Sequence, residues 1–75
     1  MENKCLGLKK LREELDITQL ELAKTIGMTR SNYCLKENGK VQFRQSEMLK
    51  ILEVFNNLLR KKKQGLTTLE QIFLV

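Results

Sequence analysis

The residues from Thr18 to Gly39 carry the local signals of two short helices joined by a tight turn, and they constrain the fold more than any other stretch. Thr18 can accept a hydrogen bond at a helix start, and Glu21, three residues later, completes a capping box. Gly27 can end this helix because it adopts positive φ without a Cβ clash. The pattern predicts a helix over 19–26.

A second helix is predicted over about 30–37, directly after the turn. Thr29 can cap its start, and Asn38-Gly39 can end it with two residues that tolerate the left-handed conformation. Ala23 in the preceding helix is small enough to let the two helix axes approach at a steep angle. The whole stretch therefore predicts a helix, a short glycine-containing turn and a second helix.

The residues from Leu8 to Lys40 resemble the helix-turn-helix of the Xre/Cro-type, lambda-repressor-like regulators. The matching pieces, in order and with unbroken spacing, are Leu11-Arg12, Thr18-Gln19, Glu21-Leu22-Ala23, Gly27, Thr29-Arg30-Ser31 and Glu37-Asn38-Gly39-Lys40. The resemblance covers about half of the chain and extends more loosely over 46–55. It implies a DNA-binding domain whose third helix enters the major groove.

The flanking segments also favour helices. Leu8, Leu11 and Leu15 recur on one face of a first helix that is expected to run to about Asp16. The chain contains no proline and few runs of β-branched residues, which argues against strands. We expect an all-α domain: a compact bundle of about five short helices with a lambda-repressor-like fold and the helix-turn-helix at helices 2 and 3.

A fourth helix is expected from Gln45 or Ser46, with Ser46 as its cap. Its predicted apolar stripe consists of Met48, Leu49, Leu52, Phe55 and Leu59, flanked by Ile51 and Leu58. A fifth helix is expected near the C-terminal end. We divide the chain into a helix-turn-helix DNA-binding domain, 1–59, and a segment, 60–75, with a basic run and an apolar C-terminal helix.

Composition limits the classes of function. The 75 residues suffice for one small domain, and the net charge of +5 favours a polyanionic partner. Cys5 and Cys34 lack metal-ligand spacing, so we expect reduced thiols in a cytoplasmic protein with no metal or cofactor. The sequence shows no signal peptide or membrane span. Histidine is absent and no phosphate-binding glycine loop occurs, so we expect no enzyme.

The resemblance makes the third helix the reader of DNA sequence. We expect four of its residues to contact bases: Arg30, Ser31, Cys34 and Leu35. Arg30 can place its guanidinium fork on guanine O6 and N7, and Ser31 can contact a base or a phosphate. Cys34 lies one turn further along and adds shape more than hydrogen bonds. Tyr33 is expected to anchor the helix in the core.

Two positions of this helix depart from the family pattern. Leu35 stands where a polar, DNA-facing residue is common. It either presses on a thymine methyl group or packs inward through a small rotation of the helix. Lys36 stands where an apolar residue is usual, and we expect its stem to be buried while its ammonium reaches solvent or phosphate.

A second set of residues is expected to contact phosphates and so to set affinity and register. The set comprises Gln19, Thr29, Asn32, Asn38, Lys40 and Arg44. The role of Gln19 is implied by the resemblance and agrees with its place at the positive end of a helix dipole. Asn32 can alternatively bind adenine. Val41 and Phe43 are expected to turn into the core, which leaves Lys40 and Arg44 facing the phosphate backbone or an adjacent minor groove. The alternative is a loop of solvated charges.

The resemblance also implies an ion pair between Arg12 and Glu37, which would tie the first helix to the end of the third. Two independent surface charges are the alternative. A buried pair is weak evidence for net stability, but removing one of its partners is costly.

The C-terminal segment contains a basic run and an apolar tail. The four consecutive cations 60–63 fit either a solvated helix end or a contact to the DNA backbone. Leu69, Ile72 and Phe73 lie at helical spacing in the tail. They either fold back onto the fourth helix or contact a second copy. Because similar regulators dimerise through C-terminal residues, we expect a dimer interface there.

The function expected from these patterns is sequence-specific binding of double-stranded DNA by a transcriptional regulator. We expect a small repressor of the phage or mobile-element type that binds a pseudo-palindromic operator as a homodimer, controlled by occupancy, dimerisation or a regulatory protein partner. The alternative is an antitoxin or a helical protein-interaction module with weak or no specific DNA readout. A membrane partner is not expected.

Overall fold

Five helices follow one another in the computed structural model, which describes residues 5–73. They are α1 (Leu6–Glu14), α2 (Gln19–Thr25), α3 (Arg30–Glu37), α4 (Gln45–Lys61) and α5 (Leu69–Phe73). The described part of the chain contains no strand. The all-α, five-helix arrangement predicted from the sequence is confirmed.

Local capping fixes where α2 begins. The Thr18 hydroxyl accepts a hydrogen bond from the backbone N–H of Glu21 at 3.1 Å, and the Glu21 carboxylate accepts one from the backbone N–H of Thr18 at 3.0 Å. This is the predicted capping box, and its hydrogen bonds lower the pKa of the Glu21 carboxyl. The helix ends before Gly27, whose φ of 78° lies in the left-handed region.

The second helix of the pair is bounded in the same way. The Thr29 hydroxyl accepts a hydrogen bond from the backbone N–H of Asn32 at 3.2 Å. Gly39, with φ of 81°, follows the C-terminal end. Because both ends are set by neighbouring residues, the bounds of α3 match those predicted from the sequence.

The core takes apolar side chains from every helix. Its buried members are Leu8, Leu15, Leu22, Ala23, Ile26, Tyr33, Ile51, Phe55, Leu59 and Ile72. Burying one large side chain of this kind is worth about 1.5–3 kcal/mol relative to leaving it exposed. Tyr33 is fully buried, so its predicted role as the core anchor of α3 is confirmed.

Helix α5 lies mainly against α1 rather than against α4. The two backbones approach closely at Gly7, where a Cβ atom would lie 2.3 Å from the carbonyl oxygen of Gln71. Ile72, predicted as a dimer contact, is fully buried within its own chain. Its side chain therefore closes the core of this fold and is not available at a surface.

The segment between α4 and α5 is held by Asn56. Its side-chain amide donates to the carbonyl of Thr67 at 3.3 Å, and its side-chain oxygen accepts from the backbone N–H of Thr67 at 2.8 Å. Helix α4 itself continues to Lys61, past the boundary drawn from the sequence at residue 59. Residues on both sides of that boundary contribute to the same core.

Several expectations at helix ends and loops are wrong. Helix α1 ends at Glu14, and Asp16 adopts a φ of 58° beyond it. Ser46 does not cap α4, which starts one residue earlier. Instead, the Glu47 carboxylate accepts a hydrogen bond from the backbone N–H of Arg44 at 2.8 Å.

The apolar face of α4 and the loop before it also differ from expectation. Val41 and Leu49 were expected inside, but they are 45% and 48% exposed. Ile51, expected to flank the stripe, is fully buried at its centre. Phe43 is partly buried and packs against the core as predicted, with its ring centroid 6.0 Å from that of Tyr33.

Candidate nucleic-acid interface

One side of α3 is buried and the opposite side is exposed. Tyr33 and Glu37 occupy the buried side, where they are 0% and 3% exposed. Leu35 is two residues from each of them, hence about 160° away around the helix axis. It is 42% exposed. The alternative in which α3 rotates and packs Leu35 inward is therefore wrong.

Of the four predicted base contacts, Ser31 and Leu35 lie on this exposed side, one helical turn apart. Arg30, Ser31 and Leu35 are exposed, whereas Cys34 is half-buried. The side-chain amide of Asn38 donates a hydrogen bond to the Cys34 sulfur at 3.4 Å. Three of the four residues are therefore exposed on α3, and the role of all four as base contacts stays a prediction.

All but one of the residues predicted to contact phosphates are exposed. Asn32, Asn38, Lys40 and Arg44 are exposed on α3 and in the loop that follows. The Thr29 hydroxyl is occupied as the cap of α3. Gln19 is the exception, because its side chain is half-buried and its amide donates a hydrogen bond to the Glu37 carboxylate.

Glu37, the last residue of α3, accepts hydrogen bonds from three side chains. Arg12 donates from Nε to Oε2 at 2.9 Å and from Nη2 to Oε1 at 3.2 Å. The Tyr33 hydroxyl donates to Oε2 at 2.5 Å, and the Gln19 amide donates to Oε1 at 3.0 Å. We call these residues, Arg12, Gln19, Tyr33 and Glu37, the Glu37 network. It joins α1, α2 and α3 at one point.

Arg12 completes this network by donating a further hydrogen bond from Nη1 to the carbonyl of Ile17 at 2.8 Å. That carbonyl lies in the turn before α2, so one guanidinium connects α1 to both helices of the helix-turn-helix. The ion pair implied by the resemblance is present, and its two residues are 8% and 3% exposed. The alternative of two independent surface charges is wrong.

The pKa values of the network follow from burial and donors acting together. Burial alone would raise the pKa of the Glu37 carboxyl, but hydrogen bonds from Arg12, Tyr33 and Gln19 outweigh it and lower that pKa. Burial, followed by the hydrogen bond to Glu37, raises the pKa of the Tyr33 hydroxyl. At neutral pH the Glu37 carboxyl is therefore charged and the Tyr33 phenol is neutral.

The hydroxyl of Tyr33 and the amide of Gln19 were missed as partners of Glu37. Tyr33 lies four residues before Glu37 in one helix, and this spacing places side chains one above the other. That signal could have identified the pair. The contact of Gln19 with Glu37 depends on how α2 crosses α3, and no local spacing encodes it.

A second ion pair joins α3 to α4. The Lys36 ammonium lies 2.6 Å from the Glu47 carboxylate, and both side chains are largely buried. The same Glu47 oxygen accepts the backbone N–H of Arg44. Burial would raise the pKa of the Glu47 carboxyl, but these donors lower it. Lys36 thus buries its stem as expected, but its ammonium reaches a carboxylate rather than solvent or phosphate.

The surface formed by α3 and the following loop is electropositive. From residue 30 to residue 44 the only carboxylate belongs to Glu37, which is buried and paired. The cations of this stretch include Arg30, Lys40 and Arg44, all of them exposed. An exposed basic surface without carboxylates suits a polyanion.

Among residues 5–73, the features outside this surface do not form a second chemical site. An open apolar groove of about 360 Å³ lies between α2 and α4, lined by residues such as Leu22, Val54 and Leu58. Among residues 5–73, no cluster of three or more histidine, cysteine or acidic side chains could hold a metal ion. No helix in the same residues is long and apolar enough to cross a membrane.

Comparison with known proteins agrees with this geometry. A family model described as Helix-turn-helix (HTH_3) matches residues 8–59, which include α2 and α3 entirely and most of α1 and α4. No curated protein and no solved structure matches the chain significantly. The match spans more than half of the chain, and the capped helix pair lies within it. The chain therefore belongs to the Xre/Cro-type helix-turn-helix family of DNA-binding transcriptional regulators.

Proposed function

We propose that this chain recognises a specific sequence in double-stranded DNA and regulates transcription in the cytoplasm by occupying that sequence. The observation that carries this proposal is that α3 exposes Arg30, Ser31 and Leu35 within a stretch, 30–44, that carries no exposed carboxylate. The Glu37 network supports it further, because a recognition helix has to be held rigidly to discriminate between bases.

In this proposal the first turn of α3 supplies most of the hydrogen bonds to base edges. Arg30 is suited to guanine, because its planar fork matches O6 and N7 in the major groove. Ser31 lies beside it and can contact a base or a phosphate. Cys34 contributes a small group one turn later, and its sulfur is already paired with the amide of Asn38.

Contacts to the DNA backbone are assigned to the residues around α3. Lys40 and Arg44 provide charge, while Thr29, Asn32 and Asn38 provide polar groups near the helix ends. Gln19 uses one amide hydrogen for Glu37, and its second amide hydrogen is the one assigned to a phosphate. Such contacts set register and produce a strong dependence of affinity on salt.

We further propose that two copies bind together as a homodimer on a pseudo-palindromic operator, in the manner of a small phage or mobile-element repressor. The α3 helices of the two copies, related by a two-fold axis, would enter successive major grooves about 34–36 Å apart. Since Ile72 is buried, the dimer contact is assigned to Leu69 and Phe73, whose side chains are partly exposed. A regulatory protein that competes for this contact would control binding.

The experiment that tests the function is selection of bound duplexes from random DNA at two salt concentrations. We expect an enriched inverted repeat with half-sites about one helical turn apart, bound more weakly at the higher salt concentration. Enrichment of a single half-site would refute the dimer while retaining sequence-specific binding. Salt-sensitive binding without any enriched sequence would refute sequence recognition.

The second candidate function is that of an antitoxin or helical protein-interaction module. It is favoured by exposed apolar side chains outside the base-contact set, Val41 and Leu49. A protein-interaction module would bind no duplex specifically, whereas an antitoxin would bind both an operator and a protein. The same selection experiment separates these cases from each other.

A further inference from the structure

Leu35 has an unusual position for an exposed leucine. It lies opposite the buried side of α3, with exposed Ser31 one turn before it, and 42% of its surface is accessible. Its side chain does not belong to the hydrophobic core cluster or to the partly buried residues packed against that cluster. The position therefore calls for an explanation in terms of what α3 meets.

The backbone of a second exposed apolar residue, Val41, is held next to Leu35. The carbonyl of Leu35 accepts hydrogen bonds from the backbone N–H groups of Lys40 at 2.9 Å and Val41 at 3.4 Å. The chain therefore folds back after α3 and fixes Val41 beside the turn that carries Leu35. Val41 is 45% exposed. We call Leu35 and Val41 the apolar patch.

The charges around the apolar patch indicate its partner. Exposed cations precede and follow it along the chain, Arg30 in the first turn of α3 and Arg44 before α4, and the stretch between them carries no exposed carboxylate. A protein partner with an apolar face requires no such rim. A partner that is a polyanion and also offers an apolar group fits both features.

In the major groove of DNA, the C5-methyl group of thymine is the one apolar group that base pairs present. A leucine pressed on guanine, adenine or cytosine would remove water from hydrogen-bonding groups without replacing it. We propose that Leu35, supported by Val41, recognises a thymine methyl group, so that the bound sequence contains a thymine facing the middle of α3. This inference rests on the proposed function, because it assigns a base to the same site.

The test exchanges thymine for deoxyuridine, which removes the methyl group and leaves the base pairing intact. The duplex enriched from random DNA is prepared with each thymine replaced in turn, and Kd is measured for the unaltered protein. We expect one thymine in each half-site whose replacement weakens binding about fourfold, the factor that corresponds to about 0.8 kcal/mol for one buried methylene-sized group.

Three variants assign this effect to the apolar patch. Leu35→Ala should bind the thymine and deoxyuridine duplexes equally well. Leu35→Gln should lose the fourfold difference as well, because a polar amide replaces the apolar branch that contacts the methyl group. Leu66→Ala is the matched control, since Leu66 is an exposed leucine outside α3 and should leave the fourfold difference intact.

The possible outcomes separate this inference from the proposed function. Specific binding that is insensitive to every thymine methyl group overturns the inference and leaves the proposed function standing. An equal methyl effect in the unaltered protein and in Leu35→Ala overturns it as well, because another residue then makes the contact. Failure to enrich any duplex overturns both.

Discussion

Arg12 of α1 holds Glu37 at the end of α3 through two hydrogen bonds of 2.9 and 3.2 Å. Both residues are buried, and neither belongs to the surface assigned to DNA. The pair therefore sets how the recognition helix is oriented on the first helix. Its energetic role differs from that of a surface ion pair, because each charge depends on the other for its hydrogen bonds.

Arg12→Ala is expected to destabilise the fold by about 3–5 kcal/mol, because it leaves the Glu37 carboxylate buried without its cation. The carbonyl of Ile17 loses a donor at the same time. Urea denaturation measures the loss. Arg60→Ala is the control, because Arg60 is an exposed arginine of α4, and its removal should change stability by no more than about 0.5 kcal/mol. Equal midpoints for Arg12→Ala and the unaltered protein would contradict the prediction.

Stability is expected to decline in acid. The pKa of the Glu37 carboxyl is lowered in the folded protein. In the unfolded chain this carboxyl has a pKa of about 4.3, so it is protonated more readily there than in the folded protein. The free energy of unfolding should be constant between about pH 5 and pH 7 and fall as the pH drops through the lower, folded pKa. The lowered pKa values of Glu21 and Glu47 act in the same direction.

Thermal melting between pH 7 and pH 3 checks this decline. Glu37→Gln should be less stable than the unaltered protein at pH 7 and should lose less stability on acidification, because one of the responsible carboxylates is absent. Glu53→Gln alters an exposed carboxylate of α4 and should retain the full decline. The same slope in both variants would refute the role assigned to Glu37.

Gly7→Ala should displace α5 from α1. The new methyl group would lie 2.3 Å from the Gln71 carbonyl oxygen and 3.0 Å from that of Ile72, and backbone atoms cannot rotate away as a side chain can. We expect a loss of about 1–3 kcal/mol, as for other overpacked sites. Gly65→Ala is the control, because no heavy atom lies within 4 Å of a Cβ placed there. Equal stability of the two variants would contradict the close approach.

Arg30→Ala should weaken binding to the selected duplex by about 1–3 kcal/mol and relax the preference at one base pair. Titration of labelled duplexes measures both effects, and Lys9→Ala, which removes an exposed lysine of α1, should leave the base preference unchanged. If Arg30→Ala weakened binding to random DNA by the same factor, Arg30 would be a phosphate contact instead of a base contact.

The helix-turn-helix could be predicted closely because its boundaries are encoded locally. Thr18 with Glu21, Thr29 and the glycines after each helix fix the ends through hydrogen bonds between near neighbours or through φ values that favour glycine. The bounds of α3 matched the prediction, and α2 ended one residue earlier than expected. Periodicity likewise placed Leu8 and Tyr33 in the core correctly.

The errors occurred where position depends on distant parts of the chain. Val41 lies in a loop without periodicity, so nothing local assigns its side chain to the inside or the outside. Leu49 lies beside the apolar stripe of α4, and the rotation of that helix on its neighbours decides which side is buried. Lys36 was expected to reach solvent or phosphate because its partner, Glu47, lies eleven residues away in another helix.

One residue in the sequence, Gly7, could have suggested that another segment packs closely on α1. A glycine inside an apolar helical pattern often marks close packing, and Gly7 stands between Leu6 and Leu8. What that glycine approaches is a property of the assembled tertiary structure. The sequence therefore indicated an apolar tail that needs covering, and only the structure identified α1 as its cover.

The close approach of Gly7 to Gln71 has an architectural consequence. Residues at opposite ends of the described chain meet, so the polypeptide enters and leaves the fold at neighbouring points. A domain fused before α1 and a domain fused after α5 would be anchored side by side.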